Sequence, residues 1–180
     1  NRRLIISMQS INPVTGQITQ SFSIWQADQI STALDQVESA QVGWAALSYE
    51  QRGQCFRQLA QMLRQNSESY AYLITEEMGK LLREARAEIE KCALGCEHYA
   101  DYAASYLHDE IIVSDASRSV VVYQPLGIIL CIMPWNFPLW QVLRFAVPAL
   151  LSGNVVLLKH ATAVTGCALL LERLFHEAGF

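Results

Sequence analysis

Between Asp28 and Tyr106 apolar residues return every three or four positions, whereas beyond Ser117 they gather into unbroken runs. The first pattern predicts helices and the second predicts buried strands. Ahead of both, Asn12-Pro13-Val14-Thr15-Gly16 has turn chemistry, with short extended segments expected on either side. Asp28 is the expected cap of a first helix whose apolar face is Ile30, Leu34, Val37, Ala40, Trp44 and Leu47. A second helix starts near Glu50 and presents Cys55, Phe56, Leu59, Met62 and Leu63 on one side. A third runs from Ser67 to Met78 and stops at Gly79, a residue suited to the left-handed position after a helix. The fourth spans Leu82 to Tyr106. Its charged first half, Arg83 to Lys91, reads as a solvated helix face, as does the pair Glu76-Glu77.

The later runs alternate with helices. Ser117 to Tyr123 reads as a strand stopped by Pro125 and Gly127, and Gly127 to Ile132 as a strand covered on both faces. A helix from Pro138 to Leu151, a turn at Ser152-Gly153-Asn154, a strand from Val155 to Lys159 and a helix from Val164 to Ala178 follow. That order predicts an α/β fold beginning a doubly wound parallel sheet. The chain divides accordingly into a mainly helical segment (1–110), a strand arm (111–125) and the first units of an α/β domain (126–180). Two parallel strands this apolar need neighbours, and Gly179-Phe180 reads as a helix cap entering another strand. The sequence therefore reads as an N-terminal piece of a longer protein.

Composition narrows the classes. With 52% apolar and 17% charged residues the chain is expected to fold rather than remain disordered, and a formal charge of −4 argues against a nucleic-acid partner. Arg2-Arg3 before Leu4-Ile5-Ile6 is too short for a secretory leader. The uncharged stretch between Arg118 and Arg144 is broken by Pro125, Gly127, Pro134, Asn136 and Pro138, so no membrane span is expected. Five cysteines in apolar or helical settings fit reduced thiols and a cytoplasmic location. Cys92, Cys96 and His98 lack a second ligand pair at zinc spacing and read as core residues on a helix, so no metal is expected.

Candidate chemistry gathers in Pro134-Trp135-Asn136-Phe137-Pro138. Asn136, just ahead of a helix that Pro138 would open, can cap free N–H groups through its oxygen or offer its amide donor to an oxygen that turns negative. Arg144 is the lone charge of that helix, one turn after Trp140. It serves either an internal ion pair or an anionic substrate. Lys159 ends a strand at the edge where α/β sheets bind ligands, although no Gly-x-Gly-x-x-Gly follows either strand. His160 reads as a packing or surface histidine rather than a base.

These segments together resemble the aldehyde dehydrogenase superfamily. Pro134 to Pro138 looks like its oxyanion-site segment, and Gly153-Asn154 with Val155 to Lys159 looks like the strand bearing its cofactor lysine. Asn12-Pro13-x-Thr15-Gly16 and Glu77-Met78-Gly79-Lys80 match its style. The resemblance implies a Rossmann-like domain in which Asn136 donates to the oxyanion. Ile132, Met133, Pro134 and Trp135 would line the nicotinamide half of the cofactor, and Lys159 would contact its ribose. The arm before Pro125 would serve homo-oligomer assembly. The wording from Met133 to Arg144 is similar to bacterial succinate-semialdehyde dehydrogenases, which implies Arg144 as carboxylate anchor with Phe137 and Trp140 beside the substrate. Phe145 stands where many members have lysine. Lys159-His160-Ala161-Thr162 lacks the glutamate that many members place on the ribose hydroxyls, so Thr162 is expected to favour NADP over NAD. The family's nucleophilic cysteine and general-base glutamate match no position here. Catalysis by these 180 residues alone is therefore not expected. The alternatives are a dehydrogenase for another small aldehyde, with Arg144 spent on an internal pair, or a non-catalytic chain serving assembly.

Overall fold

The computed structural model describes residues 7–180, so the Arg2-Arg3 and Leu4-Ile5-Ile6 stretch weighed as a leader lies outside the described residues. Strands β1 (Ser7–Ile11) and β2 (Ile18–Ser23) pair antiparallel around the expected turn. Asn12 Oδ1 accepts hydrogen bonds from Val14 and Thr15 N–H at 2.9 and 3.2 Å, which holds the reversal.

Four helices follow: α1 (Ala27–Ala46), α2 (Tyr49–Gln65), α3 (Ser67–Met78) and α4 (Leu82–Tyr106). Helix α1 is capped two residues earlier than expected. Gln26 is its N-cap, with its N–H donated to the Gln29 side chain at 2.9 Å, and Asp28 stands inside the first turn, where its charge suits the helix dipole. Helix α3 ends as its sequence implies, at Gly79 with φ 77°. Phe56, Leu59, Leu63, Ile74, Ile89, Cys92 and Cys96 of α2, α3 and α4 form one core with Val142, Leu143, Val147 and Leu151 of the next long helix.

The strand expected over 117–123 pairs only at β4 (Val120–Val121), against β3 (Glu110–Ile111). Its partner offers just two residues, and Val122 and Tyr123 remain exposed. The α/β unit then runs β5 (Ile128–Met133), α5 (Trp140–Leu151), β6 (Val155–His160), a 3₁₀ turn (Thr162–Val164) and α6 (Thr165–Glu177). β5 and β6 are parallel, in register from Ile128 opposite Val155 to Met133 opposite His160, with α5 as the crossover. Asn154 secures the start of this sheet by accepting from Leu126 and Gly127 N–H at 2.6 and 3.1 Å.

Two expectations about burial are corrected. β5 is covered on one face only: Cys131 is buried, but Ile128, Leu130 and Ile132 are exposed because no described element packs over them. The apolar face of α1 buries none of its residues fully. It borders a cleft of about 530 Å³ shared with β6 and α6, walled by Val37, Trp44, Leu158 and Phe175. Arg52 ties the helices together from within, donating to Leu151 O at 2.9 Å and Leu47 O at 2.5 Å. Among the described residues no helix is long and apolar enough to cross a membrane.

Candidate functional site

β5 delivers Ile132 and Met133 to the carboxyl edge of the parallel pair, where open α/β sheets hold ligands. Ile132 lies opposite Lys159 and Met133 opposite His160. Pro134, Trp135, Asn136 and Phe137 follow as an exposed loop that turns into α5 through buried Pro138 and Leu139.

The structure reassigns the capping of that helix. α5 begins at Trp140 with Leu139 as N-cap, so Pro138 precedes the helix instead of opening it. Glu88, buried on α4, accepts from Leu139 N–H at 2.9 Å and Trp140 N–H at 3.0 Å. A carboxylate reaching in from another helix is a stronger acceptor than an amide oxygen and takes the role expected of Asn136. Asn136 makes no side-chain hydrogen bond among the described residues, which leaves its amide donor open to solvent.

Glu88 also corrects the reading of Arg83 to Lys91 as wholly solvated: it is ion-paired with Lys80, a buried pair. Glu77 corrects the companion reading of Glu76-Glu77. It is buried and accepts from Gly166 and Cys167 N–H, both at 2.8 Å, at the N-terminus of α6, and from the Ser10 hydroxyl. A signal for both acids was present in the sequence. Glu88 stands on the apolar face formed by Ala85, Ile89, Cys92 and Cys96, and Glu77 follows Tyr70 and Ile74 at helical spacing. An acid in such a stripe needs buried partners. His160 is the packing histidine of the two readings. Its Nε2 bonds Pro138 O and its Nδ1 accepts from Ala161 N–H, each at 2.8 Å, which defines a neutral ring, and burial holds its pKa below the usual value.

Arg144 is exposed and forms no ion pair among the described residues. It lines a cavity of about 540 Å³ between α4 and α5 with Tyr99, Tyr106, Phe145 and Ser152. One turn earlier, Trp140 lays its ring against α4, with Lys91 Nζ 4.2 Å from the ring centroid and its edge 3.2 Å from where a Cβ at Gly95 would stand. Phe137 is half-exposed and carries Lys80 Nζ 3.6 Å from its ring centroid.

On the cofactor side, Lys159 is exposed and without an ion pair among the described residues, and Thr162 opens the 3₁₀ turn just beyond β6. Ala161 and Ala163 flank Thr162, so no carboxylate stands beside it in the chain. A cationic Lys159, an open hydroxyl and the exposed apolar wall of Ile132 and Trp135 (67 and 53% exposed) fit a group with both a phosphorylated ribose and a flat ring. The cysteines fit no nucleophilic role. Cys92, Cys96, Cys131 and Cys167 are buried; desolvation pushes the Cys131 thiol up to about 11 and that of Cys96 to about 12. Half-buried Cys55 is also raised by burial. Among the described residues no three His, Cys, Asp or Glu side chains cluster to hold a metal ion.

A parallel strand–helix–strand unit that carries an open amide and a lysine at its carboxyl edge, with an arginine on the crossover helix lining a separate cavity, defines an α/β protein of the doubly wound type. More particularly, the chain belongs to the aldehyde dehydrogenase family, which it matches over residues 5–180. It is 48% identical over 175 residues to a probable NADP(+) succinate-semialdehyde dehydrogenase of Synechocystis, a match covering 97% of this chain and 38% of that protein. It is 44% identical over 170 residues to the Escherichia coli NAD(P)+ succinate semialdehyde dehydrogenase Sad, covering 94% and 37%. Among solved structures, Gox0499 superposes with a TM-score of 0.95 at 39% identity, over 97% of this chain and 39% of that one. The succinic semialdehyde dehydrogenase of Streptococcus pyogenes, solved with NADP+, gives 0.92 at 32% identity, over 96% and 38%. The chain thus spans somewhat over a third of the length of the relatives it matches.

Proposed function

We propose that this chain supplies the oxyanion donor, the substrate anchor and one wall of the cofactor site of an NAD(P)-dependent succinate-semialdehyde dehydrogenase that favours NADP. The observation that carries this reading is Arg144. A guanidinium on an otherwise apolar helix, without a carboxylate partner among the described residues and lining a cavity, suits a carboxylate brought by the substrate. In this reading the far end of a short acid semialdehyde binds Arg144 while its carbonyl meets the amide of Asn136, eight residues earlier in the chain.

In this reading the aldehyde oxygen gains negative charge when a thiolate attacks the carbonyl, and the Asn136 N–H stabilises that oxygen. Phe137 and Trp140 wall the aldehyde's path. Ile132, Met133, Pro134 and Trp135 border the nicotinamide, and Lys159 and Thr162 hold the ribose and its 2′-phosphate. The cofactor, when bound, supplies the hydride acceptor. The thiolate and the base come from parts of the protein other than these 180 residues, because all five cysteines here have raised thiol pKa values or buried sulfur. The arm 111–125 serves assembly of a homo-oligomer, a role supported by the exposure of Ile111, Val113 and Val122.

In the full-length enzyme Arg144→Ala is expected to raise KM for succinate semialdehyde by about 10²-fold, the scale of a lost charge-assisted carboxylate contact, and to change KM for an uncharged aldehyde far less. Equal effects on the two substrates would remove Arg144 from the site. Comparing kcat/KM with NADP+ and NAD+ tests the cofactor assignment, and a strong NAD+ preference would contradict the role given to Thr162.

A further inference from the structure

The main chain just downstream of Asn136 is gripped from two sides, and neither grip touches Asn136 itself. On one side Glu88 accepts from Leu139 and Trp140 N–H at 2.9 and 3.0 Å. Its second oxygen is paired with Lys80, and the two side chains are 0 and 7% exposed. Lys80 in turn lies on the Phe137 ring at 3.6 Å. On the other side His160 bonds the Pro138 carbonyl at 2.8 Å.

Pro134 and Pro138 restrict their own φ angles, and Phe137 O accepts from Gln141 N–H at 2.9 Å, which leaves Trp135 and Asn136 as the exposed residues between these fixed points. Asn136 has no side-chain bond of its own among the described residues, so the placement of its donor depends on the backbone that carries it. A donor aimed at developing charge works only when it is fixed in advance, and a displacement of about 1 Å costs on the order of 10²-fold in rate. A buried ion pair is a poor source of stability compared with an apolar pair of equal volume. An apolar pair could not, however, accept two N–H groups and face an aromatic ring with a cation. The double acceptor caps the first free N–H groups of α5, and in doing so fixes the backbone that follows Asn136.

We infer that Glu88 is a positioning residue for Asn136, acting through Leu139 and Trp140, with Lys80 and His160 completing the grip. The inference rests on the oxyanion-donor reading of Asn136. It is tested in the full-length enzyme with Glu88→Gln, Asn136→Ala and the double variant. Glutamine keeps the volume and one acceptor oxygen but loses the charge that draws Lys80 and both N–H groups together.

Glu88→Gln is expected to lower the single-turnover rate of aldehyde oxidation by roughly tenfold or more, leaving KM for the cofactor within about twofold. In the Asn136→Ala background the same change should cost less than about twofold, because the donor to be positioned is gone. The same factor in both backgrounds, or an unchanged rate in Glu88→Gln, overturns the inference. Amide exchange supplies a readout without activity. Glu88→Gln should speed exchange in 134–140 while α2 and the second half of α4 keep their protection. An increase spread evenly over the chain would mean that Glu88 only stabilises the fold, and would overturn the inference too. If Asn136→Ala alone leaves the rate unchanged, the oxyanion reading fails, and the exchange measurement still decides whether Glu88 orders the segment.

Discussion

Glu77 and Gly166 form a pair whose coupling can be worked out from distances. Glu77 Oε1 takes Gly166 N–H and Oε2 takes Cys167 N–H, each at 2.8 Å, so the first orphan donors of α6 are met by a buried carboxylate 89 and 90 residues earlier in the chain. A hydrogen bond to a charged group contributes about 1.5–3 kcal/mol, so Glu77→Ala should cost roughly 3–6 kcal/mol. Glu77→Gln keeps one acceptor but turns an NH₂ toward a buried N–H, and should cost about 1–3 kcal/mol. A side chain at Gly166 would force the carboxylate to shift, because a Cβ there would stand 2.7 Å from Glu77 Oε1. Gly166→Ala is therefore expected to cost about 1–3 kcal/mol by overpacking in the parent. In the Glu77→Ala background the clash is gone and the substitution should gain roughly 0.5–1 kcal/mol through helix propensity. Urea unfolding of the four proteins in a double-mutant cycle measures this reversal of sign. The same cost for Gly166→Ala in both backgrounds would refute the reasoning, as would a Glu77→Gln protein as stable as the parent.

Two further perturbations test the interior. Arg52 is buried and meets backbone carbonyls in place of a carboxylate, and desolvation lowers its pKa. Arg52→Lys cannot span Leu151 O and Leu47 O with one ammonium, so a loss of about 2–4 kcal/mol in chemical unfolding is expected, and parental stability would contradict it. His160 has a folded pKa below the ordinary histidine value of 6.5, chiefly from burial, with Lys159 adding to the lowering and Glu77 and the Pro138 and Met133 backbone opposing it. The unfolded chain then binds the extra proton first, so this contribution is whole above pH 6.5 and is lost as pH falls from 6.5 to the folded pKa. Unfolding midpoints measured on either side of that window should fall toward acid, and His160→Gln should flatten the change; an unaltered slope would exclude His160 as its source.

The amino-acid sequence by itself determined the local elements and their order. Helix α4 runs from Leu82 to Tyr106 and α3 stops at Gly79 as periodicity and a left-handed glycine imply, because those signals act within one turn of the chain. The succession of β5, α5 and β6 was legible for the same reason, as was the loop that exposes Asn136. Tertiary structure alone decided what each polar group meets. Asn136 could cap its helix or offer a free donor on sequence alone, and Glu88, 51 residues before Leu139, supplied the capping acceptor instead. Glu77, read as solvated, changed meaning likewise, since its partners Gly166 and Cys167 come from a distant segment brought to it by packing. Arg144 could be an internal ion-pair member or an open cation on sequence alone, and only the folded arrangement of α4 and α5 left it lining a cavity. Periodicity records which face of an element is apolar, whereas the partner of a buried charge is set by contacts between elements, which no local pattern encodes.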